Sequence, residues 1–435
     1  MHLTRREFLW RAGLSAAGAG VASAALASCG FVRQGSTVGP RELSFTTWGS
    51  DSELAGFRRA IADFQTANPG DTVQLNSVPY EQFFQNVDAQ LQTDTAPDVF
   101  RVDYDNLGTY AGRSQLLDLS GLLPEGTDAT FTEALWQAVQ YDDRPFGVPH
   151  HTDCTAILYS TAAFERAGIT AVPTQVDQAW TWDQFADVAR ALQDSLPPGE
   201  FPFAYNWQGQ GITRWLNWLF EADGRFLDAS LRRPAIDSDA GHAAVDFTKS
   251  FFTERWVPPN SSVKSATYAS DLFFSETVPM VFGGAFLLPD AVQLAPFEFG
   301  ATFAPRGVRG GGDLGGNALV ATAGTSKGEL AARFLAFMTE RETMQRFCET
   351  ASLLPTRRDL VTEGIRFADR PELSPVFVGQ ATTVRAGDAA QIASPSMAQI
   401  NTVLGDAMEA AFAGGASTTD TVAAISDGIG RAISR

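Results

Sequence analysis

Strand-like and helix-like segments alternate along the first hundred residues, and this alternation limits the fold more than any other feature of the sequence. Strand-like stretches fall at residues 43–48, 73–78 and 98–102. Apolar residues between them recur at helical spacing, and Ser50 and Glu53 have the spacing of a capping box at a helix start. This order predicts a doubly wound α/β sheet with its ligand site beyond the carboxyl ends of the strands.

The length and charge of the chain restrict its organisation and its ligands. The chain has 435 residues and a formal net charge of −18 at pH 7. A chain of this length exceeds what one hydrophobic core usually serves, so two lobes are expected. So acidic a protein is not expected to bind nucleic acid, anionic lipid surfaces or strongly anionic substrates, and no run of Lys and Arg lies beyond the leader.

Residues 1–28 have the features of an export leader. Thr4–Leu9 has the twin-arginine pattern, and the small apolar run that follows is too short to span a membrane. Leu26–Gly30 resembles the bacterial lipobox, in which the cysteine, here Cys29, is lipidated and becomes the first mature residue. The alternative is a plain signal peptide with a chance cysteine. Residues 29–40, rich in Gly, Ser and Thr, are predicted to form a tether.

Beyond Cys29 the chain has two cysteines, Cys154 and Cys348. Two cysteines provide no disulfide framework. We expect two free buried thiols, with a single bridge between them as the alternative.

The stretch Phe146–Tyr159 combines strand-like and polar character. Gly147 and Pro149 argue against a helix, four polar residues follow, and the stretch closes on an apolar run typical of a buried strand. Polar groups inside a strand need hydrogen-bond partners, and where two lobes meet a ligand can be that partner. The stretch therefore predicts a hinge beside a ligand site; a surface loop before an ordinary strand is the alternative.

Aromatic and polar residues follow the predicted strands. Trp48 and Asp51 come after the first strand, and Asp103 and Tyr104 after the third. An aromatic ring offers a flat face to a sugar, and Asp accepts hydrogen bonds from hydroxyls, so these positions suit a neutral, hydroxyl-rich ligand. Taken singly, each has a structural alternative: a core Trp, or an Asp in a turn or helix cap.

A series of short motifs, in order over nearly the whole chain, resembles the extracellular solute-binding proteins of sugar ABC importers, the relatives of maltose-binding protein. The motifs are Trp48, Asn68–Gly70, Ala96–Val99, Phe146–Pro149, Leu158–Ser160, Phe164–Ile169, Thr181–Phe185, Met280–Phe286, Gly315–Asn317 and Leu354–Arg357. In one departure, Phe286 stands where many relatives have a Trp soon after the glycines.

The resemblance implies an α/β, two-lobed periplasmic-binding-protein-like fold with several interlobe crossovers and a ligand cleft between the lobes. It places lobe 1 at residues 41–150 and 318–365, lobe 2 at residues 151–317 and 366–435, and crossovers at Phe146–Asp153 and Gly310–Asn317. Trp207 precedes a helix whose Trp215 and Trp218 have the spacing of core residues. We therefore expect Trp207 to be a stacking platform for the ligand.

The expected ligand contacts combine the strand-end residues with those from the motifs. They are Trp48, Asp51, Asp103, Tyr104, Thr152, Asp153, Trp207, Phe286, Asn317 and Arg357. No cofactor is expected. A metal at His150, His151 and Asp153 is disfavoured because adjacent side chains in an extended segment point to opposite faces. The glycine-rich stretch 310–315 precedes a strand rather than the helix that phosphate binding requires.

The expected function is capture of a mono- or oligosaccharide and its delivery to the permease subunits of an ABC importer, without chemistry. The protein would be a monomer held by lipid to the outer face of the cytoplasmic membrane. Two alternatives are a lipid-anchored glycoside hydrolase, which needs a carboxylate pair at reactive spacing, and a sensory or structural lipoprotein that does not transport. The ligand could also be another polar solute.

Overall fold

The computed structural model describes residues 39–208 and 211–434, and the predicted leader and most of the tether lie outside this part of the chain. The strands of the described part are Glu42–Thr47 (β1), Thr72–Ser77 (β2), Val99–Asp103 (β3), Gln140–Tyr141 (β4), Arg144–Pro145 (β5), Gly147–Asp153 (β6), Ala156–Ser160 (β7), Phe203–Tyr205 (β8), Met280–Gly283 (β9), Phe299–Thr302 (β10) and Gly315–Ala321 (β11).

The helices connect and cover these strands. They are Asp51–Ala67 (α1), Tyr80–Gln92 (α2), Tyr104–Gly112 (α3), Thr127–Thr130 (α4), Glu133–Gln137 (α5), Thr161–Arg166 (α6), Trp182–Ser195 (α7), Leu216–Glu221 (α8), Asp239–Thr253 (α9), Ala269–Phe274 (α10), Leu288–Leu294 (α11), Gly328–Met338 (α12), Arg341–Ala351 (α13), Arg358–Glu363 (α14), Ser374–Ala381 (α15), Ala386–Ile392 (α16), Met397–Phe412 (α17) and Thr418–Ile433 (α18). Short 3-10 helices cover Val176–Gln178, Gly211–Trp215, Ala285–Leu287 and Pro371–Leu373.

Two sheets form the framework, as the predicted two-lobed α/β fold requires. The first has the order β2-β1-β3-β11-β6, and the second has the order β10-β7-β9-β8. In the first sheet, β11 is antiparallel to both β3 and β6, so β1, β2, β3 and β6 all end at one edge. That common edge is where a ligand site is expected in a doubly wound sheet.

The alternation of strand-like and helix-like segments predicted from the sequence is confirmed in the first sheet. The three predicted strands are β1, β2 and β3, displaced by one residue at most. The Ser50 hydroxyl accepts from the Glu53 amide, and the Glu53 carboxylate accepts from the Ser50 amide, so the predicted capping box is formed. Inward residues of α1 meet the sheet: the ring of Phe45 lies 5.3 Å from that of Phe57.

The chain passes between the sheets at their shared edge. Cys154 and Thr155 link β6 to β7, and residues 303–314 link β10 to β11. The stretch predicted as the first crossover is therefore mostly a strand of the first sheet, because β11 supplies its ladder partners. The expected lobe limits after residue 150 and before residue 318 fall inside β6 and β11, and the assignment of whole lobes stays a prediction.

The C-terminal helices also contact a helix that follows a strand of the first sheet. Helix α17 packs on α18 and on α3, which follows β3. Between them the Asn401 amide donates to the Asp105 carboxylate at 2.7 Å. Cys154 and Cys348 are free and buried, as expected. Within the described residues, no helix is long and apolar enough to cross a membrane.

A β-bulge adjusts the pairing of β6 with β11. Asn317 pairs with His151, whereas the next residue, Ala318, pairs with Pro149, so His150 is the extra residue. Bulges of this kind redirect neighbouring side chains and often lie beside functional sites. Gly316, next to the bulge, has φ +90°, and a Cβ there would lie 2.4 Å from the Thr152 Cα and 2.5 Å from the His151 oxygen.

We expect Gly316→Ala to lower the free energy of unfolding by at least about 1 kcal/mol, because alanine is strained at positive φ and its methyl group meets backbone atoms. Urea unfolding measures the change. Gly324→Ala is the matched control, since Gly324 is exposed and nothing lies within 4 Å of its Cβ position. Equal unfolding midpoints for the two variants would contradict this account of the bulge.

Candidate functional site

A cleft of about 780 Å³ lies between the two sheets, at the edge where the chain crosses from one to the other. The first sheet contributes residues at the carboxyl ends of β1, β2, β3 and β6 and at the start of β11. The second contributes the loops after β8 and β9. The principal lining residues are Trp48, Glu53, Tyr80, Glu81, Arg101, Asp103, His151, Asp153, Asn206, Gln208, Arg214, Tyr268, Phe286, Asp290 and Asn317.

Arg101, on β3, holds the floor of the cleft together, and its side chain is only 3% exposed. Its guanidinium donates to the Glu53 carboxylate at 2.6 Å and to the Trp48 carbonyl at 2.9 Å. It also donates to the Asn317 Oδ1 at 2.8 Å and lies 2.8 Å from the His151 Nε2. A buried charge needs such partners, so one side chain ties four chain segments into a fixed arrangement.

Asp103 is the last residue of β3, and its carboxylate accepts hydrogen bonds from uncharged donors. The Tyr80 hydroxyl donates to its Oδ2 at 2.9 Å, and the Asn317 amide donates to its Oδ1. Burial, together with the neighbouring Asp105 carboxylate, raises the pKa of Asp103 to about 7. Asp103 therefore changes charge near neutral pH.

Asp153, at the end of β6, lies where the two sheets approach each other. Its carboxylate is 3.9 Å from the Arg214 guanidinium, and Arg214 is also 3.9 Å from Asp313. Burial, opposed by Arg214 and reinforced by Asp313, raises the pKa of Asp153 to about 6. A Cβ at Gly315 would lie 1.6 Å from its Oδ1, so the carboxylate occupies space that only glycine leaves free.

The two histidines remain uncharged because of their surroundings. Burial, with a contribution from Arg101, lowers the pKa of both His150 and His151 well below the usual value. The His150 ring stacks 5.3 Å from Phe57 and packs against Phe347, whereas the His151 Nε2 lies 2.8 Å from the Arg101 guanidinium. Within the described residues, no group of three His, Cys, Asp or Glu side chains converges as a metal site.

Aromatic rings line both walls of the cleft. On the first sheet's side, Trp48 is half-buried, packs 4.6 Å from Phe83 and carries the Arg101 guanidinium 4.6 Å from its ring. On the other side, Phe286 is half-buried, and the Arg214 guanidinium lies 5.7 Å from its ring. Two partly exposed aromatic faces on opposing walls can hold the flat apolar faces of a cyclic ligand.

Five of the ten predicted contact residues line the cleft: Trp48, Asp103, Asp153, Phe286 and Asn317. Two more support its floor from behind. The Tyr104 hydroxyl donates to the His151 carbonyl at 3.0 Å, and the Thr152 hydroxyl donates to the Gly315 carbonyl at 2.9 Å. Asp51 is exposed at the start of α1, beside the cleft residue Ser50 but outside the lining.

Trp207 and Arg357 do not reach the cleft. The Trp207 ring is fully buried, 4.8 Å from Phe412, and its Nε1 donates to the Ser261 carbonyl at 2.9 Å. With its polar atom satisfied and its faces covered, Trp207 is a core residue rather than the platform predicted for it. Arg357 pairs with Asp359 at 3.0 Å and donates to the Thr339 carbonyl.

Sequence reasoning missed the two cations of the cleft, Arg101 and Arg214. Arg101 interrupts an otherwise apolar strand, and a charged residue in that position is a signal that could have marked it. Arg214 lies in the 3-10 helix Gly211–Trp215, and nothing in its local pattern indicates a site. Tyr80, the first residue of α2, is another lining residue that sequence reasoning missed.

Comparison with known proteins gives a family and a fold. Residues 48–345 match the model of the family described as bacterial extracellular solute-binding protein. An uncharacterized lipoprotein of Streptomyces antibioticus is 24% identical over 334 residues, which cover 73% of this chain and 71% of that protein.

Solved structures of low identity share the fold. A solute-binding protein of an ABC transporter from Thermotoga lettingae, bound with alpha-D-tagatose, has a TM-score of 0.76 and 20% identity, covering 90% of this chain and 100% of that one. The cyclic alpha-maltosyl-1,6-maltose binding protein of Arthrobacter globiformis has a TM-score of 0.75 and 18% identity, covering 91% and 99%. Over two thirds of its length, and with the motifs that first suggested it, the chain belongs to the bacterial extracellular solute-binding proteins.

Proposed function

We propose that the protein captures a mono- or oligosaccharide in the cleft and delivers it to the permease subunits of an ABC importer. The observation that carries this proposal is the composition of the cleft. Aromatic faces from both walls, Trp48 and Phe286, stand beside the hydrogen-bonding groups of Asp103, Asp153 and Asn317. Carbohydrate rings present apolar C–H faces and hydroxyl edges, which this combination matches.

The comparisons support a ligand of this class. One similar structure is bound with alpha-D-tagatose, and another protein is named for the cyclic maltose-based sugar that it binds. The Streptomyces relative is a lipoprotein. At these identities the likenesses themselves establish the fold, and the ligand class of this chain rests on its own cleft.

The two-sheet architecture supports capture by closure. The residues that line the cleft come from both sheets, and short linking segments such as residues 154–155 connect the two sheets. A ligand that contacts both walls favours the closed arrangement over the open one by the difference in its affinity for the two. A closed, loaded protein is the form that a permease would have to distinguish from the empty one.

One observation favours a second candidate, a lipid-anchored glycoside hydrolase. Asp103 has a pKa of about 7 and Asp153 a pKa of about 6, and carboxyl groups with raised pKa values serve as general acids in such enzymes. The same pKa values follow from burial and from the neighbouring carboxylates Asp105 and Asp313, which a binding cleft can also contain. Recovery of the bound sugar therefore separates the two candidates.

Export and anchoring belong to the same proposal. Residues 1–28 would direct export through the twin-arginine route, and lipid on Cys29 would hold a monomer at the outer face of the cytoplasmic membrane. The lipobox at Leu26–Gly30 and the lipoprotein relative support this location.

A saturating carbohydrate should raise the unfolding temperature of the purified protein. A ligand that binds only the folded state stabilises it by about 2.7 kcal/mol at a hundred times its Kd, a shift of several degrees. Thermal unfolding with a panel of mono-, di- and oligosaccharides measures the shift, and chromatography of the bound sugar reports its integrity. A shift with intact sugar is expected; cleaved sugar would favour the hydrolase, and no shift with any sugar would contradict capture.

Phe286→Ala should weaken carbohydrate binding at least tenfold, about 1.4 kcal/mol, while the fold is retained, because the half-buried ring supplies one wall of the cleft. Calorimetric titration measures the affinity. Phe297→Ala is the matched control, since Phe297 is also partly exposed but lies outside the lining. Equal losses in the two variants would remove Phe286 from the site.

Cys29→Ala should release the protein from the membrane fraction, because no other membrane anchor is proposed. Fractionation of cells that produce the full chain measures the distribution. Ser36→Ala, in the predicted tether, should leave the protein with the membrane. Retention of the Cys29 variant in the membrane fraction would overturn the proposed anchor.

A further inference from the structure

Carboxylates outnumber cations in the lining of the cleft. Glu53, Glu81, Asp103, Asp153 and Asp290 supply the acidic groups, against Arg101 and Arg214. His151 in the lining and its neighbour His150 add no positive charge, because burial lowers their pKa values. An acidic lining alone does not define a ligand. The hydrogen-bond and ion-pair partners of each charged side chain show which carboxylates lack a cation within the protein.

The Arg101 guanidinium already has an ion-pair partner and hydrogen-bond partners within the protein. Its guanidinium pairs with Glu53 at 2.6 Å, and its remaining contacts go to the Trp48 carbonyl, Asn317 and His151. Among the carboxylates of the cleft, Arg101 therefore pairs directly with Glu53, and its charge acts on Asp103 and Asp153 without a direct ion pair.

Arg214 stands between two carboxylates and forms a close contact with neither. It lies 3.9 Å from both Asp153 and Asp313, and all three groups are largely buried. One cation thus faces two acidic groups. The Oδ1 of Asp153, which is 5% exposed, has no hydrogen-bond partner in the described part of the chain. A buried carboxylate oxygen without a donor is costly, and it disfavours the charged form of Asp153.

Asp103 receives hydrogen bonds only from uncharged donors, Tyr80 and Asn317. Among the described residues, no Lys, Arg or His nitrogen lies within 4 Å of its carboxylate. Asp105, behind it, also bonds to uncharged groups, the amides of Asn106 and Asn401. Asp103 and Asp105 are thus two neighbouring carboxylates beside the cleft, and neither forms a direct ion pair among the described residues.

Asp103 and Asp153 lie on the same edge of the first sheet. Asp103 pairs with Asn317 on one side of β11, and Asp153 pairs with Gly315 on the other side. They thus flank the start of one strand. Both carboxylates belong to the lining of the cleft, where each can accept from the N–H groups of a cationic ligand.

We propose that the ligand of this cleft is a carbohydrate-like molecule with a protonated amino group, an amino sugar or aminocyclitol, whose ammonium is accepted by Asp103 and Asp153. The proposal rests on the proposed function and narrows its substrate class. Trp48 and Phe286 would contact the ring faces, and the ammonium would supply the positive charge and the donors that the protein itself does not provide. A neutral sugar supplies donors but leaves the charge uncompensated.

Matched sugars that differ in one substituent test the proposal on the full protein. The probes are glucosamine, N-acetylglucosamine and glucose, the corresponding galactose and mannose series, and the β-1,4-linked dimers of the glucose series. Calorimetric titration at pH 7 measures each affinity. In a series that binds, the amine should bind at least tenfold more tightly than its hydroxyl and acetamido partners.

The outcomes separate this inference from the proposed function. Neutral sugars that bind as tightly as their amines would leave carbohydrate capture intact and overturn the ammonium site. An absence of binding by every sugar in the panel would overturn both.

Proton exchange on binding gives an independent test. Asp103 faces Asp105, Arg101 and Tyr80, and Asp153 faces Arg214, Asp313, Glu53 and Arg101. With pKa values of about 7 and about 6, both are partly protonated between pH 6 and 7. A bound cation lowers these pKa values and releases protons, whereas a neutral ligand that excludes water raises them and takes protons up.

Titration of glucosamine dimer in phosphate and in ACES, two buffers of different ionisation enthalpy, at pH 6.5 measures the proton exchange from the difference in apparent enthalpy. Proton release is expected, with affinity that rises as the pH increases from 6 to 7. Proton uptake would overturn the proposal.

Asp103→Asn keeps the shape of the side chain and removes its charge, so the preference for amine over hydroxyl should fall at least tenfold. Asp187→Asn removes the same charge from an exposed position on α7 and should leave the preference unchanged. Should Asp103→Asn fail to fold, as judged by circular dichroism, Asp153→Asn provides the same comparison. A folded variant of either kind that retains the full preference would overturn the assigned site.

Discussion

The cleft depends on one buried cation, the Arg101 guanidinium. Arg101 fixes Glu53 on α1, the Trp48 carbonyl after β1, Asn317 on β11 and His151 on β6. A charge removed from water is stable only when its partners are all in place, so these four segments are held in one arrangement. The residues that a ligand would meet, Trp48 and Asn317 among them, are positioned by the same contacts. The contacts that stabilise the floor of the cleft therefore also set the geometry of the site.

The same edge of the first sheet leaves other charges without such compensation. Asp103 accepts hydrogen bonds from neutral donors, and Asp153 lies 3.9 Å from Arg214. Burial and the neighbouring carboxylates Asp105 and Asp313 raise the pKa values of the two groups. A protein that only needed to be stable would gain from replacing or pairing them. Their position between two aromatic walls instead suits a ligand that brings donors, and in our proposal a positive charge, into the cleft. The acidic side chains of the cleft would then serve to bind the ligand, in a chain that is acidic as a whole.

The sequence predicted the regular part of this structure well. The strands β1 to β3 and the capping box of α1 follow from local patterns, and Trp48 and Asp103 follow from the rule that ligands meet strand ends. Asn317 follows from the family resemblance through the motif Gly315–Asn317. Trp207 was misplaced because its local sequence does not reveal that Phe412, more than two hundred residues later, covers its ring. Arg214 was missed for the same reason, since its role arises only where Asp153 and Asp313 converge on it. Long-range packing, rather than propensity, decides such positions.

A crystal structure of the protein with a bound carbohydrate tests the central claim most directly. We expect an intact sugar in the cleft, with ring faces on Trp48 and Phe286 and polar contacts to Asp103, Asp153 and Asn317, and with residues of both sheets touching it. A sugar bound outside the cleft, or one held by a single sheet while Trp48 and Phe286 remain free, would contradict the account.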